Sequence, residues 1–363
     1  MGAYSTCIFW KRVMKQNSVL GVVLMVGALS SAIAAQELQL PRIIAVDRVK
    51  DNLYVLRGDG GHTVVFITTT GVVVVDTMNP GWGQTILETI KTLTDKPVTT
   101  LINTHGHADH VSGNVEFPAT VAIIVQRNTK KNMEKMTPDS TATVRRPAGT
   151  IFEANGGRGR PTRTFRNTMT LGKGADEIDL YYFGRGHTNG DTWVVFPALG
   201  VVDMGDLFPD KTIPLIDAKN GGSAFEIGET LRKGYNRIKN VDTIITGHGP
   251  LMMWADLKEY VAFNEEFLDD MWRAERARKT VDDVSGSWQI SPKYTGYTLA
   301  DPIVVKNNAT LAYKEIVTAN GLSYLAQPSI DYSDGPQRTP PAEGVAPPTP
   351  APTAPSPEPA AEP

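Results

Sequence analysis

The chain contains six histidines, and three of them fall within Thr104-His105-Gly106-His107-Ala108-Asp109-His110. This segment directly follows Val98–Ile102, whose β-branched residues predict a strand. At a strand end, His105 and His107 lie two apart and can project from the same side, while Asp109 and His110 fall at the turn into the next helix. Gly106 and Ala108 add no bulk, so the four polar side chains can crowd together and two adjacent metal sites can share one short loop. Three further predicted strands each deliver one side chain of ligand type at a glycine-flanked end. Ile178–Phe183 leads to Gly186-His187, Gly200–Met204 to Gly205-Asp206, and Thr243–Thr246 to Gly247-His248-Gly249. A lone His or Asp beside a glycine is usually a turn or a satisfied hydrogen-bonding group. That account fails jointly, because chance would have to place five of six histidines at strand ends. Imidazole and carboxylate without thiolate suit Zn²⁺ best, with iron or manganese as lesser fits.

His-x-His-x-Asp-His, followed by separate His, Asp and His after three later strands, resembles the metallo-β-lactamase superfamily over roughly residues 50 to 255. The resemblance implies an α/β fold, the αββα sandwich, with a metal site at one sheet edge. It implies a first metal on His105, His107 and His187, a second on Asp109, His110 and His248, and Asp206 bridging them. The expected cofactor is two Zn²⁺ per chain. Such a pair lowers the pKa of a bridging water from 15.7 to about 7, which makes hydroxide the nucleophile at neutral pH. Asp109 is the expected catalytic residue, orienting that hydroxide as well as ligating. The implied reaction is hydrolysis of an ester, thioester or amide carbonyl, with β-lactams among the substrate classes. Where well-known class B β-lactamases carry cysteine or serine, this chain has Asp206. Gly205-Asp206-Leu207-Phe208, Pro214-Leu215-Ile216-Asp217 and Gly247-His248-Gly249-Pro250 are similar to the wider hydrolase branch, including glyoxalase-type thioesterases.

Two other readings compete with it. Persulfide dioxygenases on this scaffold use one iron with the residues matching His105, His107, His187 and Asp206, but the intact Asp109, His110 and His248 group argues against them. A non-enzymatic metal-binding envelope protein is the third reading, motivated by the C-terminal tail. Flavodiiron proteins carry Glu where His107 stands.

Outside the seven, Asp76 is expected either to hydrogen-bond a ligand imidazole or to serve a turn before Asn79-Pro80. Thr188 and Asp191 are candidates to brace the His187 loop. His62, in the Gly60-Gly61-His62 hairpin, is no ligand in the family pattern and is at most a groove residue. The polar, basic stretch from about Asn128 to Arg166 reads as a solvated insertion, or as a lid in which Arg145 and Arg146 hold an anionic substrate. Lys211 is an alternative carboxylate anchor. Asn308-Ala309-Thr310 matches a glycosylation sequon, a three-residue pattern that arises often by chance.

These residues must be positioned by a mixed set of elements. Leu53–Leu56 and Thr63–Ile67 form a hairpin, Val72–Val75 a buried strand, and Ile86, Leu87, Ile90 and Leu93 a helix face. Later strands at Val121–Val125, Ile178–Phe183, Thr192–Phe196 and Thr243–Thr246 interleave with a helix over roughly Phe225–Lys239. Leu257, Tyr260, Val261, Phe267, Leu268 and Met271 place one apolar face on a further helix. The catalytic domain is expected over 45–280, with a helical extension at 281–334.

At the ends, Lys11 to Lys15, an apolar run from about Val19 to Leu29, and Ala32, Ala34 and Ala35 make the three parts of a signal peptide over residues 1–35. The run is short against the roughly 20 residues of a spanning helix. Export to the periplasm or beyond follows, with no stable membrane span afterwards. Residues 335–363, nearly all Pro, Ala, Thr, Glu and Gly, are expected to be a disordered tail. The full chain has 363 residues, 41% hydrophobic, with net charge −3. Cleavage removes three bases, no acid and the single Cys7, leaving 33 basic against 39 acidic residues. That excludes a disulfide scaffold and a cysteine nucleophile, and it disfavours nucleic acid as a partner. A small molecule is the expected partner, and the sequence does not give an oligomeric state.

Overall fold

A computed structural model of the chain describes residues 42–135, 150–299, 301–321 and 337–338. The expected signal peptide, most of the tail, and Arg145 and Arg146 lie outside the described residues.

Two seven-stranded sheets face each other. The first runs in chain order: β1 (Ala45–Lys50), β2 (Leu53–Arg57), β3 (Thr63–Ile67), β4 (Val72–Val75), β5 (Val98–Ile102), β6 (Ala122–Gln126) and β7 (Arg163–Phe165). Its pairs are antiparallel up to β4 and parallel from β4 to β7. The second contains β8 (Thr168–Leu171), β9 (Ile178–Tyr181), β10 (Trp193–Phe196), β11 (Val201–Asp203), β12 (Thr243–Ile245), β13 (Met252–Met253) and β14 (Gln337–Arg338). Its order is β13-β12-β11-β10-β9-β8-β14, with β11 and β12 parallel. The pair at β14 falls in the segment expected to be tail.

The hydrophobic pattern explains the layering. Val72–Val75 is buried at every position because β4 is central and covered on both faces. Alternate residues of both sheets meet in an inner core that includes Val64, Phe66, Val75, Ile102, Leu180, Val194, Phe196 and Ile245. Phe66 meets Phe196 edge-on at 5.1 Å across the sheets, a geometry worth about 0.5–1.5 kcal/mol beyond its area. Outside the first sheet, Ile86 and Ile90 of helix α1 (Gly83–Leu93) pack on Val65, Val74, Leu101 and Ile123. The short helices α2 (Ala108–Val111), α3 (Arg127–Glu134) and α4 (Ile151–Ala154) follow. Outside the second sheet lie α5 (Ile227–Arg237), α6 (Trp254–Arg276), α7 (Val281–Ser287) and α8 (Pro302–Gly321). Leu231, Leu257, Tyr260, Phe263, Val284, Ala309, Ala312 and Ile316 close that outer core. The αββα sandwich and the C-terminal helices are thus as the sequence led us to expect.

The first part of the stretch expected to be a solvated insertion, from Asn128 to Glu134, is packed and helical. Helix α3 buries Thr129, Asn132 and Met133. Asn128 Nδ2 donates to the Asn189 carbonyl at 2.7 Å, and Thr129 Oγ1 to the Gly190 carbonyl at 2.7 Å. Its polar side chains satisfy backbone groups of the His187 loop, so polarity here marks a packed contact. No helix among the described residues is long and apolar enough to cross a membrane.

Candidate metal centre

Strand register brings the site residues to one edge of the sandwich. In the parallel pair β4–β5, Val75 is level with Ile102, so Asp76 and Asn103 emerge together. In the parallel pair β11–β12, Asp203 is level with Ile245, and three residues beyond each lie Asp206 and His248. Glycine makes one of these approaches possible: a Cβ at Gly247 would overlap the Asp206 carboxylate.

His105 Nε2, His107 Nδ1 and His187 Nε2 converge. His105 Nε2 is 3.1 Å from His107 Nδ1, and His187 Nε2 is 3.0 Å from the same atom. The opposite ring nitrogens decide what these contacts are. His187 Nδ1 faces the Leu215 carbonyl at 2.6 Å, and His107 Nε2 faces Asp217 Oδ2 at 2.8 Å. Both partners can only accept, so those nitrogens carry the protons. His105 Nδ1 lies 3.0 Å from Thr104 Oγ1, whose own proton goes to Asp76 Oδ2 at 2.6 Å. His105 therefore also donates outward. Three lone pairs are left pointing at one another, an arrangement that a cation relieves. Nitrogens bonded to one tetrahedral Zn²⁺ at about 2.0–2.1 Å would stand about 3.3 Å apart, close to the spacing here.

Beside this triad, Asp109, His110 and His248 form a second group. His248 Nε2 is 3.2 Å from Asp109 Oδ2 and 3.2 Å from His110 Nε2. The outer nitrogen of His110 donates to Asp76 Oδ2 at 2.8 Å. Asp206 stands between the groups. Its Oδ2 lies 3.7 Å from both His105 Nε2 and His187 Nε2, and 3.5 Å from His248 Nε2. Its Oδ1 is 3.4 Å from His110 Nε2, and this buried atom makes no hydrogen bond. A buried carboxylate oxygen without a donor costs about 1–3 kcal/mol or more, which a bound cation would offset. The donor set fits a pair of divalent cations.

Electrostatics separate the two groups. Burial drives His105 well below its ordinary pKa and brings His187 down to about 4, so these imidazoles are neutral. Burial also works against charge on His110, but Asp206 and Asp76 outweigh it and raise its pKa well above the usual value. Hydrogen bonds to Asp109 and Asp206 raise His248 to about 9. Burial would raise Asp109, yet His248 and His110 bring it down to about 2. Asp206 is held well below the usual carboxylate range against its burial, chiefly by His110.

The structure brings all seven predicted residues together and gives Asp76, Asp191 and Lys211 definite partners. Asp76 binds the imidazole of His110. It does so from a left-handed backbone conformation (φ 59°) that Asp tolerates better than most residues. Asp191 accepts from the Thr188 amide at 2.9 and 3.0 Å and braces the His187 loop. Lys211 is not a free anchor, since its ammonium is held by Asp256 at 3.0 Å and Glu259 at 3.3 Å.

His62 has a definite place. Its Nδ1 donates to the Thr246 carbonyl at 2.9 Å, and Arg57 Nη1 donates to its Nε2 at 2.7 Å and to the Gly249 carbonyl at 3.0 Å. The amide of His62 donates to the Gly247 carbonyl at 2.6 Å, and that of Gly61 to the Asp109 carbonyl at 3.0 Å. A Cβ at Gly61 would overlap the His110 ring. The hairpin thus contacts Asp109 and His110 and holds the carbonyls of Gly247 and Gly249 on either side of His248. Sequence reasoning missed the roles of Leu215 and Asp217, although Pro214-Leu215-Ile216-Asp217 is a recognisable block.

This geometry agrees with comparison to known proteins. The metallo-beta-lactamase superfamily model matches residues 57–248, more than half of the chain. The chain belongs to the metallo-beta-lactamase superfamily and is an enzyme of its metal-dependent hydrolase class. Among characterised relatives, a metallo-beta-lactamase type 2 of Elizabethkingia meningoseptica is 28% identical over 225 residues, covering 56% of this chain and 78% of that protein. A metallo-beta-lactamase type 2 of Bacillus sp. (strain 170) is 22% identical over 255 residues, covering 64% and 89% respectively. The solved structure of the stereoselective inverting sec-alkylsulfatase Pisa1 from Pseudomonas sp. superposes with a TM-score of 0.60 at 14% identity. That alignment spans 75% of this chain and 50% of the other, and it is a likeness of fold.

Proposed function

We propose that the protein is an exported dizinc hydrolase that opens an ester, thioester or amide carbonyl, β-lactams included. The observation that supports this most is the convergence of three imidazole lone pairs beside the Asp109, His110 and His248 group, with the undonated Oδ1 of Asp206 between them. His105, His107 and His187 would hold one cation, Asp109, His110 and His248 the other, and Asp206 would contact both. Bound zinc supplies Lewis acidity and a nucleophile from water at neutral pH. The chain's residues do the remainder. Asp109 stays ionised at neutral pH and is one-third exposed, so it can orient an attacking water at the open side. Asp217, Leu215, Thr104 and Asp76 fix the ring tautomers that leave the inner nitrogens free. The names of the two relatives favour a lactam as the first substrate to try, while Asp206 favours thioesters as the second.

Metal analysis and a panel of chromogenic lactam, ester and thioester substrates test the reading on protein isolated from the cell envelope. The expected result is two zinc ions per chain, with turnover abolished by chelator and restored by zinc. One iron per chain with persulfide oxidation would replace this reading by the dioxygenase one; no metal and no turnover would leave a binding protein. The N-terminus of the exported chain should be Ala35 or Gln36.

A further inference from the structure

Helix α8 lies beyond the residues matched to the superfamily, yet it reaches the loop behind the His105, His107 and His187 triad. Asp301 Oδ1 accepts from the Ile303 amide at 2.8 Å, and Pro302 opens the helix, so its start is fixed. Its inward stripe is Val305, Ala309, Ala312 and Ile316, all buried. Two polar residues interrupt that stripe seven positions apart, two turns along the same side. Asn308 is 1% exposed, and its Nδ2 donates to the Pro214 carbonyl at 2.7 Å. Glu315 Oε2 accepts from the Phe225 amide at 3.0 Å, and its Oε1 from Arg185 Nη2 at 3.2 Å. Arg185 in turn donates to the carbonyls of Gly221 at 2.7 Å and Gly222 at 3.0 Å.

Between these two attachments runs the loop from Pro214 to Phe225. Its Leu215 carbonyl accepts from His187, and its Asp217 carboxylate from His107. The Asp217 amide also donates to the His187 carbonyl at 2.8 Å. An apolar stripe alone tolerates several dockings. A slide of one turn, about 5.4 Å, would strand a buried amide and a carboxylate, which is disfavoured unless both find partners. The polar pair therefore selects one register, much as a single buried Asn does between packed helices. The buried, bonded amide of Asn308 gives its sequon-like triplet a structural use and keeps that side chain from a glycan.

We propose that Asn308 and Glu315 are positioning residues for the first triad: α8 keys the 214–225 loop in place, and Leu215 and Asp217 pass that position to the rings of His187 and His107. The inference rests on reading the triad as a metal site. It extends that reading to a helix outside the superfamily match.

The test uses the full chain with Asn308→Leu, which keeps volume and removes the donor, with Glu315→Gln, and with the double variant. Stepwise zinc competition against a chelator should show one of the two zinc ions bound about 10- to 100-fold more weakly, the other unchanged. Nitrogen-15 spectra of the metal-free protein should show the ring N–H signals of His187 and His107 shifted and that of His110 in place. Val317→Ser, on the outward face of α8, should change neither. Wild-type zinc affinities and unmoved His187 and His107 signals in the double variant would overturn the proposal, as would equal weakening of both ions. If Asn308→Leu does not fold, Glu315→Gln carries both measurements. If even the wild-type chain binds no zinc, the metal reading falls while the ring signals still decide whether α8 positions the histidines.

Discussion

The two ligand groups share one loop, yet they differ in exposure, charge and support. His105 and His187 are 1% exposed, and His107 is largely covered. On the other side, Asp109 is 33% and His248 42% exposed. His105 and His187 are neutral because burial depresses their imidazoles, whereas the second group carries charge because carboxylates and imidazoles there stabilise one another. The supports come from segments far apart in the sequence: the 214–225 loop and α8 behind the triad, the β2–β3 hairpin behind the second group. If the proposed metal reading holds, His105 and His187 are already in the form that accepts a cation, while the second group must exchange a proton for one.

Removing the shared residue breaks the comparison altogether. Asp206→Ala should weaken both metals and lower turnover by more than about 100-fold, the loss seen for groups that merely orient ligands, as read by metal content and kcat/KM. A one-sided effect is expected from Asp217→Ala, about 10- to 100-fold in affinity for the triad's metal, measured by chelator competition. Asp76→Asn should instead touch both sides, because Asp76 binds His110 directly and His105 through Thr104. The mirror image of Asp217→Ala is His62→Ala, which frees the His248 turn and should weaken only the second metal, by about tenfold.

The smallest effect is in pH. In metal-free protein His248 is raised above its unfolded value, so its contribution to stability is full below about 6.5 and disappears as pH rises through about 9. Asp109 is depressed, so its contribution is full above about 3.8 and disappears as pH falls through about 2. Thermal unfolding of the metal-free chain should lose stability at both margins. Zinc loading at pH 7 should release protons from the second group and few from the triad, which calorimetry in buffers of different ionisation enthalpy would measure.

Much of this site could be read from the sequence because its seven residues announce themselves by type. Five are ionisable side chains beside a glycine just past a strand end, with Asp109 and His110 in the turn that follows, and a strand is a local pattern that hydrophobic runs reveal. The supports were less legible. Leu215 acts through its carbonyl, which no side-chain type betrays. Asp217 and Asn308 sit in an irregular loop and on a mostly apolar helix face, and their partners lie 110 and 94 residues away. The Asn128–Asn132 segment looked solvated because its polar groups satisfy distant backbone, a pairing that only the tertiary fold creates. Lys211 looked free for a similar reason: its carboxylate partners belong to α6.

The glycine before His248 has a consequence for how the scaffold can diversify. Any side chain at 247 evicts the carboxylate beside it, so new specificities cannot arise by substitution there. Gly286 in α7, with nothing near its missing Cβ, carries no such veto. Substitution should therefore be far less tolerated at this floor of the centre than on that outlying helix.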